Sequence, residues 1–407
     1  MRIDMVSEHA SPLADPGGHD SGGQNVHVRE LSRALAAAGH EVTVLTRRDD
    51  PDLPDVVALQ PGVTVRHVLA GPTRPIPKDD VVGHLPELAR GLEQSWLTDP
   101  PDIVHAHFWM SGIAAATALR DLAIPLVQTF HALGCVKRRH QGAADTSPGG
   151  RIPAERLLTR LADRVVATCE DELFELIRMG APRKQVSIVP CGVDTAMFAP
   201  DGPAVPRGDR PRLVSIGRLV RRKGVDEVIT ALAAVPDAEL LVAGGQADAE
   251  TDPDPDTARL RAVAADNGVT ERVRFLGALA RNEVPTLLRS ADVVVCAPWY
   301  EPFGIVALEA MACERAVVAT AVGGMQDTVV HGVTGLHVPP REPDALAEAL
   351  RELLSSPTLP AVFGSAGRAR VLARYTWDRV AAATERVYDE VLDEHVGPSV
   401  RVAGGRR

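Results

Sequence analysis

Two glutamates in the segment EPFGIVALEAMA, Glu301 and Glu309, have the side chains whose chemistry is easiest to interpret. From Gly304 onward the predicted helix is apolar on every face except at Glu309. A carboxylate among buried apolar side chains is unfavourable unless strong hydrogen-bond donors meet it, so Glu309 is predicted to bind hydroxyls or amides. Glu301 precedes the helix and is predicted to face a cleft. The alternative is that Glu301 is an exposed loop acid and that Glu309 takes part in a salt bridge.

A basic segment, GRLVRRKG, follows a predicted strand and precedes a predicted helix. Its cations include Arg218 and Lys223, and such a cluster in an acidic protein is a plausible diphosphate clamp. Arginine binds phosphate oxygens through two parallel hydrogen bonds, and lysine acts as a point charge. A solvated basic turn is the alternative interpretation.

Two glycine pairs also open predicted helices. The first pair, Gly22 and Gly23, lies in SGGQN after a long loop, and the second, Gly323 and Gly324, lies in AVGGM. Glycines let the backbone approach an anion closely, and the free amides of a helix N-terminus attract it. Each pair is therefore a candidate anion site, with a purely structural helix start as the alternative.

Three histidines lie at the ends of predicted strands. His131 directly follows one strand, where a sugar is expected to lie, and His105 and His107 share one face of another. A metal site is not predicted, because no third ligand accompanies this pair and hydrogen-bonded histidines are the more common case. The acidic segment 248–256, DAETDPDPD, is predicted to be a solvated loop rather than a metal site.

Strand-like and helix-like segments alternate along the chain in two series, which predicts an α/β fold with two Rossmann-like doubly wound domains facing a cleft. Residues 198–210 are rich in proline, glycine and charge and form the predicted linker. The predicted domains cover residues 1–200 and 210–376, and helices are predicted at 26–38, 344–354 and 377–392. In such sheets ligands bind beyond the carboxyl ends of the strands, where the motifs above lie. The predicted strands cover residues 2–6, 41–46, 64–69, 103–107, 124–130, 164–168 and 187–191, then 212–216, 239–243, 273–276, 292–296, 316–320 and 335–338.

The composition of the 407 residues, with 45% hydrophobic and 24% charged, is that of a globular protein. A net charge of −10 disfavours nucleic acids and anionic membranes as partners. The five cysteines contain no CxxC pair, which argues against a disulfide framework and a structural zinc site. No apolar run predicts a membrane span or a signal peptide, so we expect a cytoplasmic protein.

Taken together, the motifs resemble those of the retaining nucleotide-sugar glycosyltransferases of family 4, which adopt the two-domain GT-B fold. The resemblance covers nearly the whole chain and rests on EPFGIVALE, GRLVRRKG, GGQNVHVRELSRALAAAGHEV and TFHALG. It implies that Glu301 contacts the donor sugar and that Glu309 binds the ribose. It also implies that the C-terminal helix, residues 377–395, crosses back and completes the first domain.

The same resemblance assigns the remaining donor contacts. Arg218 and Lys223 are implied to bind the diphosphate, assisted by the glycine-rich loop at Gly23. The backbone amides of Phe303, Gly304 and Ile305 are implied to complete that cradle, and His131 to hold the sugar. The catalytic residues implied in this way are His131, Glu301, Arg218 and Lys223. No cofactor or metal is expected, since the nucleotide sugar is a co-substrate.

On the acceptor side the resemblance implies roles for Asn25, Lys78, Phe108 and Arg138. In the members with the most similar segments, a tyrosine and a threonine hold a phosphate of the acceptor, and here these positions are Phe108 and Ala132. Lys78 and the basic run KRRH, which contains Arg138, could serve another anionic acceptor. A solvated loop is the alternative for that run.

The predicted reaction is retaining transfer of a sugar from a nucleotide-sugar donor, with UDP favoured, to a hydroxyl of a small acceptor such as a sugar, a cyclitol or a natural product. The expected partners are therefore these two small molecules, without nucleic acid or a membrane span, and the protein is expected to be a monomer or a homodimer. Two other functions fit the architecture. One is an epimerase or hydrolase of nucleotide sugars, and the other is a two-domain sugar-binding protein without chemistry.

Overall fold

The computed structural model describes residues 1–14, 22–245 and 254–396. Ser21 of the first glycine-rich segment, positions 248–253 of the acidic segment and the VAGGRR tail lie outside the described residues. Contacts between residues divide the chain into two units. The first contains Met1–Pro190 and the C-terminal segment from Trp377, and the second contains Cys191–Thr376.

The first unit contains a sheet that has eight strands within its described residues. Its strands are β1 (Arg2–Val6), β2 (Glu41–Arg47), β3 (Val56–Gln60), β4 (Val63–Val68), β5 (Ile103–His107), β6 (Leu126–Thr129), β7 (Arg164–Ala167) and β8 (Val186–Ile188). They lie in the order β3-β4-β2-β1-β5-β6-β7-β8, and every neighbouring pair is parallel except β3 and β4.

The second unit contains a sheet whose described strands are all parallel. They are β9 (Arg212–Ile216), β10 (Glu239–Ala243), β11 (Val273–Phe275), β12 (Val293–Cys296), β13 (Ala316–Thr320) and β14 (Gly335–Val338). The order is β11-β10-β9-β12-β13-β14. Strands β9, β10 and β11 therefore extend in chain order towards one edge of the sheet, and β12, β13 and β14 extend towards the other edge. This arrangement confirms the predicted α/β fold class.

Helices connect the parallel strands of both units. They are α1 (Gly23–Ala37), α2 (Leu85–Thr98), α3 (Trp109–Ala118), α4 (Gly134–Gln141), α5 (Arg151–Leu161), α6 (Glu170–Met179), α7 (Val225–Ala233), α8 (Pro255–Asp266), α9 (Val284–Arg289), α10 (Ile305–Ala312), α11 (Met325–Thr328), α12 (Pro343–Ser355), α13 (Leu359–Arg374) and α14 (Trp377–Val396). None of the helices in residues 1–14, 22–245 and 254–396 is both long and apolar enough to cross a bilayer.

The central strands are buried on both faces, as their continuous apolar runs predict. Strand β12 has the sequence VVVC and β13 has AVVAT, and every residue of both is buried. Two apolar clusters lie in the second unit, one containing Leu213 and Val318 and the other containing Val294 and Val317. The site residues that follow these strands are therefore attached to a well-packed core.

Strand β3 and helix α13 are among the elements to which the sequence analysis assigns no range. Strand β3, with the sequence VVALQ, is a half-exposed edge strand that pairs antiparallel with β4. Helix α13 contains Gly364 and Gly367, which lower helix propensity. A Cβ atom on Gly364 would lie 2.1 Å from the carbonyl oxygen of Glu314, so glycine is needed here because α13 packs closely on the segment after α10.

The first unit ends before the predicted boundary at residue 200. Val193 and Phe198 are buried in an apolar cluster of the second unit. The Val193 amide also donates a hydrogen bond to the carbonyl oxygen of Tyr375 over 2.8 Å. Much of residues 191–200 therefore belongs to the second unit, because its apolar side chains are needed in that core.

Helix α14 packs on the first unit. His40 Nε2 lies 3.2 Å from the carboxylate of Glu385, and Arg164 contacts Glu390 and Glu394 at 2.9 and 3.0 Å. Ion pairs of this exposure contribute little individually, so the buried apolar residues of α14, such as Val380, Tyr388 and Val391, account for most of this attachment. Helix α14 is therefore part of the layer that covers the first sheet.

Candidate active site

The loop that carries Glu301 packs on the glycine turn after the neighbouring strand. Glu301 follows β12, and Gly323 and Gly324 follow β13. The Gly324 amide donates a hydrogen bond to the Glu301 carbonyl oxygen over 2.9 Å. A Cβ atom on Gly323 would lie 2.2 Å from the same oxygen. This glycine pair therefore has the structural role given above as the alternative to an anion site.

Glu301 forms an ion pair with Lys223 of the basic segment. Glu301 is 9% exposed. Burial alone would raise the pKa of Glu301, but the charges of Lys223 and Arg222 and the backbone amide of Phe303 hold the pKa below its ordinary value. Glu301 is thus a buried carboxylate that stays ionised because a cation of another motif contacts it.

Arg218, the other cation assigned to the diphosphate, is exposed after the end of β9. The preceding residue, Gly217, has a φ angle of 149°. A Cβ atom on Gly217 would lie 3.9 Å from the Lys223 side chain. The turn after β9 therefore presents Arg218 to solvent and keeps Lys223 partly buried.

Glu309 lies on α10 and is 1% exposed, with buried apolar residues on either side of it in the helix. It forms an ion pair with Arg281, which lies in the loop between β11 and α9. Burial raises the pKa of Glu309, and the charge of Arg281 opposes this shift. The protein's own partner for Glu309 is therefore a guanidinium, the salt-bridge alternative given above, rather than a hydroxyl or amide. The contact with Arg281 is at Oε1, and the remaining lone pairs of the carboxylate can accept a ligand hydroxyl.

His131 is 4% exposed and has a φ angle of 61°. Such a conformation is uncommon for a residue other than glycine and is concentrated at functional sites. Nε2 of His131 lies 2.9 Å from Nδ1 of His107, and the ring centroid of His27 lies 5.1 Å from that of His131. Burial, followed by the neighbouring His27, His105 and His9, lowers the pKa of His131 well below its ordinary value. His131 is therefore a neutral ring at physiological pH.

The predicted pair His105 and His107 belongs to the same buried cluster. His105 uses both ring nitrogens, with Nδ1 2.7 Å from the Tyr388 hydroxyl and Nε2 2.8 Å from Oγ1 of Thr129. The ring centroids of His105 and His107 lie 4.2 Å apart. Because its two nitrogens are occupied, His105 links β5 and β6 to α14 and is not available as a metal ligand.

The ring of Phe108 is surrounded by basic side chains. Phe108 follows β5, is 3% exposed and has a φ angle of 80°. Nζ of Lys78 lies 4.6 Å from the ring centroid, and the central guanidinium carbon of Arg151 lies 5.0 Å from it. The ring centroid of His9 also lies 5.0 Å away. Burial and the charge of Arg151 lower the pKa of Lys78. Arg151 is paired with Glu155, and the carboxylates of Asp79 and Glu8 act on Lys78, so part of the positive charge beside this ring is already compensated.

The other predicted residues of the first unit have more ordinary surroundings. Gly23 is the first residue of α1, and its proposed contact with a diphosphate stays a prediction. Oδ1 of Asn25 accepts a hydrogen bond from the Gly22 amide over 3.0 Å, and its Nδ2 donates to the Ser11 carbonyl oxygen over 3.1 Å. Asn25 therefore holds the start of α1. Arg138 lies on α4 with 58% of its side chain exposed, 3.9 Å from Asp145.

Two arginines of these clusters, Arg281 and Arg151, were not identified from the sequence. Arg281 lies in the loop after β11, so the rule that ligands bind at strand ends was a usable signal. Arg151 is the first residue of α5, and it donates hydrogen bonds to Glu155 over 2.7 Å and to the Ala132 carbonyl oxygen over 2.6 Å. Nothing in the local pattern around Arg151 indicates that it lies beside Phe108.

Comparisons with known proteins identify the class of this chain. A family model described as "Glycosyltransferase Family 4" matches residues 21–197, and one described as "Glycosyl transferases group 1" matches residues 203–370. The D-inositol 3-phosphate glycosyltransferase of Xylanimonas cellulosilytica is 36% identical over 95% of this chain and 96% of that protein. The protein of the same name from Streptomyces bingchenggensis is 36% identical over 96% of this chain and 90% of its own length.

Solved structures give the same result for the fold. Sucrose-phosphate synthase from Thermosynechococcus elongatus has a TM-score of 0.87 at 32% identity and is matched over 96% of this chain and 98% of its own. HepE of Anabaena, solved with UDP and glucose, has a TM-score of 0.70 at 21% identity over 96% of this chain and 99% of its own, and so shows the fold alone. The fold of this chain is therefore the GT-B fold of glycosyltransferases.

The chain belongs to family 4 of the glycosyltransferases, as its motifs predicted. It is an enzyme, a glycosyltransferase.

Proposed function

We propose that this protein is a cytoplasmic, retaining glycosyltransferase that moves a sugar from a UDP-sugar to a hydroxyl of a small anionic acceptor without a bound metal. The observation that carries the proposal is the position of Lys223 and Glu301 in the second sheet. Lys223 follows β9 and Glu301 follows β12, the two neighbouring strands at which the strand order reverses. Doubly wound sheets bind nucleotides in the crevice beyond this point.

Arg218 and Lys223 are proposed to bind the diphosphate, together with the amides of Phe303, Gly304 and Ile305 at the start of α10. Negative charge develops on the diphosphate when its bond to the anomeric carbon breaks. Fixed cations and amides stabilise this charge, and one such donor contributes roughly 3 kcal/mol in a site without water. Lys223 also contacts Glu301. A bound diphosphate must therefore either share Lys223 with Glu301 or displace Glu301 from it.

Glu301 of the second unit is proposed to contact the donor sugar, and His131 of the first unit is proposed to hydrogen-bond a sugar hydroxyl. A neutral, buried His131 can hydrogen-bond a hydroxyl but is poorly suited to remove a proton at neutral pH. The leaving phosphate oxygen would then accept the proton of the acceptor hydroxyl. Attack from the face that the diphosphate leaves gives retention of the anomeric configuration.

The acceptor is proposed to carry an anionic group that binds near Phe108. Lys78 and Arg151 both lie close to the Phe108 ring, and both are hydrogen-bond donors that can contact an anionic group although Arg151 is also paired with Glu155. The names of the relatives, D-inositol 3-phosphate glycosyltransferase and sucrose-phosphate synthase, each contain a phosphorylated small molecule. Phe108 and Ala132 offer no side-chain hydroxyl, so the charges of Lys78 and Arg151 must provide most of the binding.

The donor is tested by thermal unfolding and calorimetric titration with UDP, GDP, ADP and their sugars, because a ligand that binds the folded state raises its melting temperature. We expect the largest shift with UDP compounds and no change when EDTA is added. A larger shift with GDP or ADP compounds would reject the assigned base. Loss of binding in EDTA would reject metal independence.

Transfer is tested with an α-linked UDP-sugar and a panel of sugar and cyclitol phosphates, D-inositol 3-phosphate included, each beside its unphosphorylated counterpart. We expect an α-linked product by NMR coupling at the anomeric proton, and turnover of phosphorylated acceptors only. A β-linked product would reject retention. Release of free sugar at the same rate with and without acceptors would favour a hydrolase.

A further inference from the structure

Arg281 lies beside the glutamate assigned to the ribose, in a loop that none of the recognised motifs contains. Its guanidinium forms an ion pair with Glu309. The central guanidinium carbon lies 4.6 Å from the ring centroid of Phe198. Phe198 is fully buried in an apolar cluster of the second unit, so its ring is a fixed surface. Arg281 is therefore held by a carboxylate and by an aromatic ring, and 22% of its side chain remains exposed.

We propose that Arg281 is a positioning residue that keeps Glu309 ionised and oriented for the ribose hydroxyls of the nucleotide. This proposal rests on the nucleotide-binding role proposed above for Glu309. An ionised carboxylate accepts hydrogen bonds from two hydroxyls at once, whereas a protonated acid has fewer lone pairs to offer and donates a proton instead. Arg281 contacts Oε1 of Glu309, and a carboxylate has further lone pairs that can accept hydrogen bonds from a ligand.

Three thiols that interact with Glu309 do not supply a positive charge. They belong to Cys191, Cys296 and Cys313, which lie on the segment before β9, on β12 and after α10. Burial raises the pKa of each thiol to about 12, so the thiols are neutral. Glu301 is negative and is paired with Lys223. Among the described residues, Arg281 is therefore the cation on which the charge of Glu309 depends.

The geometry explains why the residue is an arginine. Its planar guanidinium can stack on Phe198 and face Glu309 at the same time, so the cation has one preferred orientation. A lysine would keep the charge but would not be oriented by the ring in the same way. Charge and orientation can therefore be separated by comparing Arg281→Gln with Arg281→Lys.

The test is calorimetric titration of UDP between pH 5.5 and pH 8.5. The dissociation constant of each variant is divided by that of the unsubstituted protein at the same pH, because this ratio cancels the titration of the UDP phosphate. We expect Arg281→Gln to weaken binding by about ten-fold or more at low pH. Without the cation, burial raises the pKa of Glu309 further, so the carboxylate is protonated at low pH and affinity recovers as the pH rises. A loss that is constant with pH would overturn the proposal.

Two further variants serve as comparisons. Arg281→Lys is expected to give a ratio that does not vary with pH, and a ratio that rises at low pH would contradict the assigned role of the charge. This variant also keeps the test available should Arg281→Gln unfold. Arg274→Gln removes the same charge from an exposed position on β11 and is the matched control. Its ratio is expected to stay near one.

A double substitution separates an indirect role from direct contact with the nucleotide. If Arg281 acts through Glu309, adding Arg281→Gln to Glu309→Gln produces no further loss of UDP affinity. A full additional loss would show that Arg281 binds the nucleotide itself and would overturn the proposal. Glu309→Gln alone distinguishes a failure of the underlying function, since unchanged UDP affinity in that variant would remove the ribose role of Glu309 altogether.

Discussion

Lys223 and Glu301 form an ion pair although they are 78 positions apart and belong to different motifs. One residue is proposed to bind the diphosphate and the other the sugar, so one ion pair joins two parts of the proposed donor site. Both side chains are largely removed from solvent. A substitution at either residue therefore changes the folding free energy as well as the chemistry, and both must be measured.

The cations of the basic segment are expected to differ when each is replaced by alanine. Arg218→Ala and Lys223→Ala should each weaken UDP binding by about 1.5–3 kcal/mol, because each removes a charge-assisted contact. Lys223→Ala should in addition lower the free energy of unfolding by about 1–3 kcal/mol, since it leaves the buried Glu301 carboxylate without its cation. Arg218 is exposed, so Arg218→Ala should lower the free energy of unfolding by less than Lys223→Ala does.

Titration calorimetry and urea unfolding of both variants check this prediction. The double variant Lys223→Met with Glu301→Gln is the control, since it removes both charges and should regain stability without regaining UDP affinity. Equal stability of Lys223→Ala and the unsubstituted protein would contradict the energetic role given to the ion pair.

The two glutamates of the E-x7-E segment are expected to act on different parts of the donor. Glu309→Gln should weaken binding of UDP itself, because the ribose is present with or without a sugar. Glu301→Gln should reduce turnover and UDP-sugar affinity, while UDP affinity stays equal or increases because Lys223 is released from its ion pair. Equal losses of UDP affinity in both variants would refute the assignment.

His131 is expected to orient the sugar rather than remove a proton. His131→Ala should reduce the turnover number and leave the dissociation constant of UDP unchanged. Because the pKa of His131 lies well below its ordinary value, the rate should show no ionisation near pH 6.5 that disappears in the variant. A rate–pH profile of both proteins decides this. An inflection near pH 6.5 that is lost in His131→Ala would instead identify a general base.

The buried histidines are expected to make the first unit sensitive to acid. Burial lowers the pKa of His27 to about 4, and burial followed by the charge of His27 lowers that of His105 to about 3. An unfolded chain protonates histidine near pH 6.5, so it binds more protons than the folded protein below that value. Stability should therefore fall between pH 6.5 and pH 4, and each group adds about 1.4 kcal/mol per pH unit.

Thermal unfolding from pH 8 to pH 4.5 measures this loss. His27→Gln should make the decrease less steep, since one titrating group is removed. His395→Gln replaces an exposed histidine of α14 in the same unit and should leave the slope unchanged. A melting temperature that stays constant down to pH 5 would contradict the prediction.

Several features of this protein follow from the sequence alone. Apolar runs such as VVVC and AVVAT predict buried parallel strands, because only a sheet covered on both faces accepts them. The residues after such strands form the site by a general property of parallel sheets. Glu301, Lys223 and His131 could therefore be placed at strand ends without coordinates. Helix α13 was not placed in this way, because its two glycines lower its helix propensity.

The tertiary structure decided which of these residues meet. Local periodicity does not encode strand order, so it could not show that the turn after β9 lies beside the loop after β12 and pairs Lys223 with Glu301. It could not show that Arg281 neutralises Glu309, because an arginine in a loop has the same local signature whether it contacts solvent or a buried carboxylate. Burial of a charge is favourable only when a partner arrives from a distant segment, and the packing of the whole domain determines that partner.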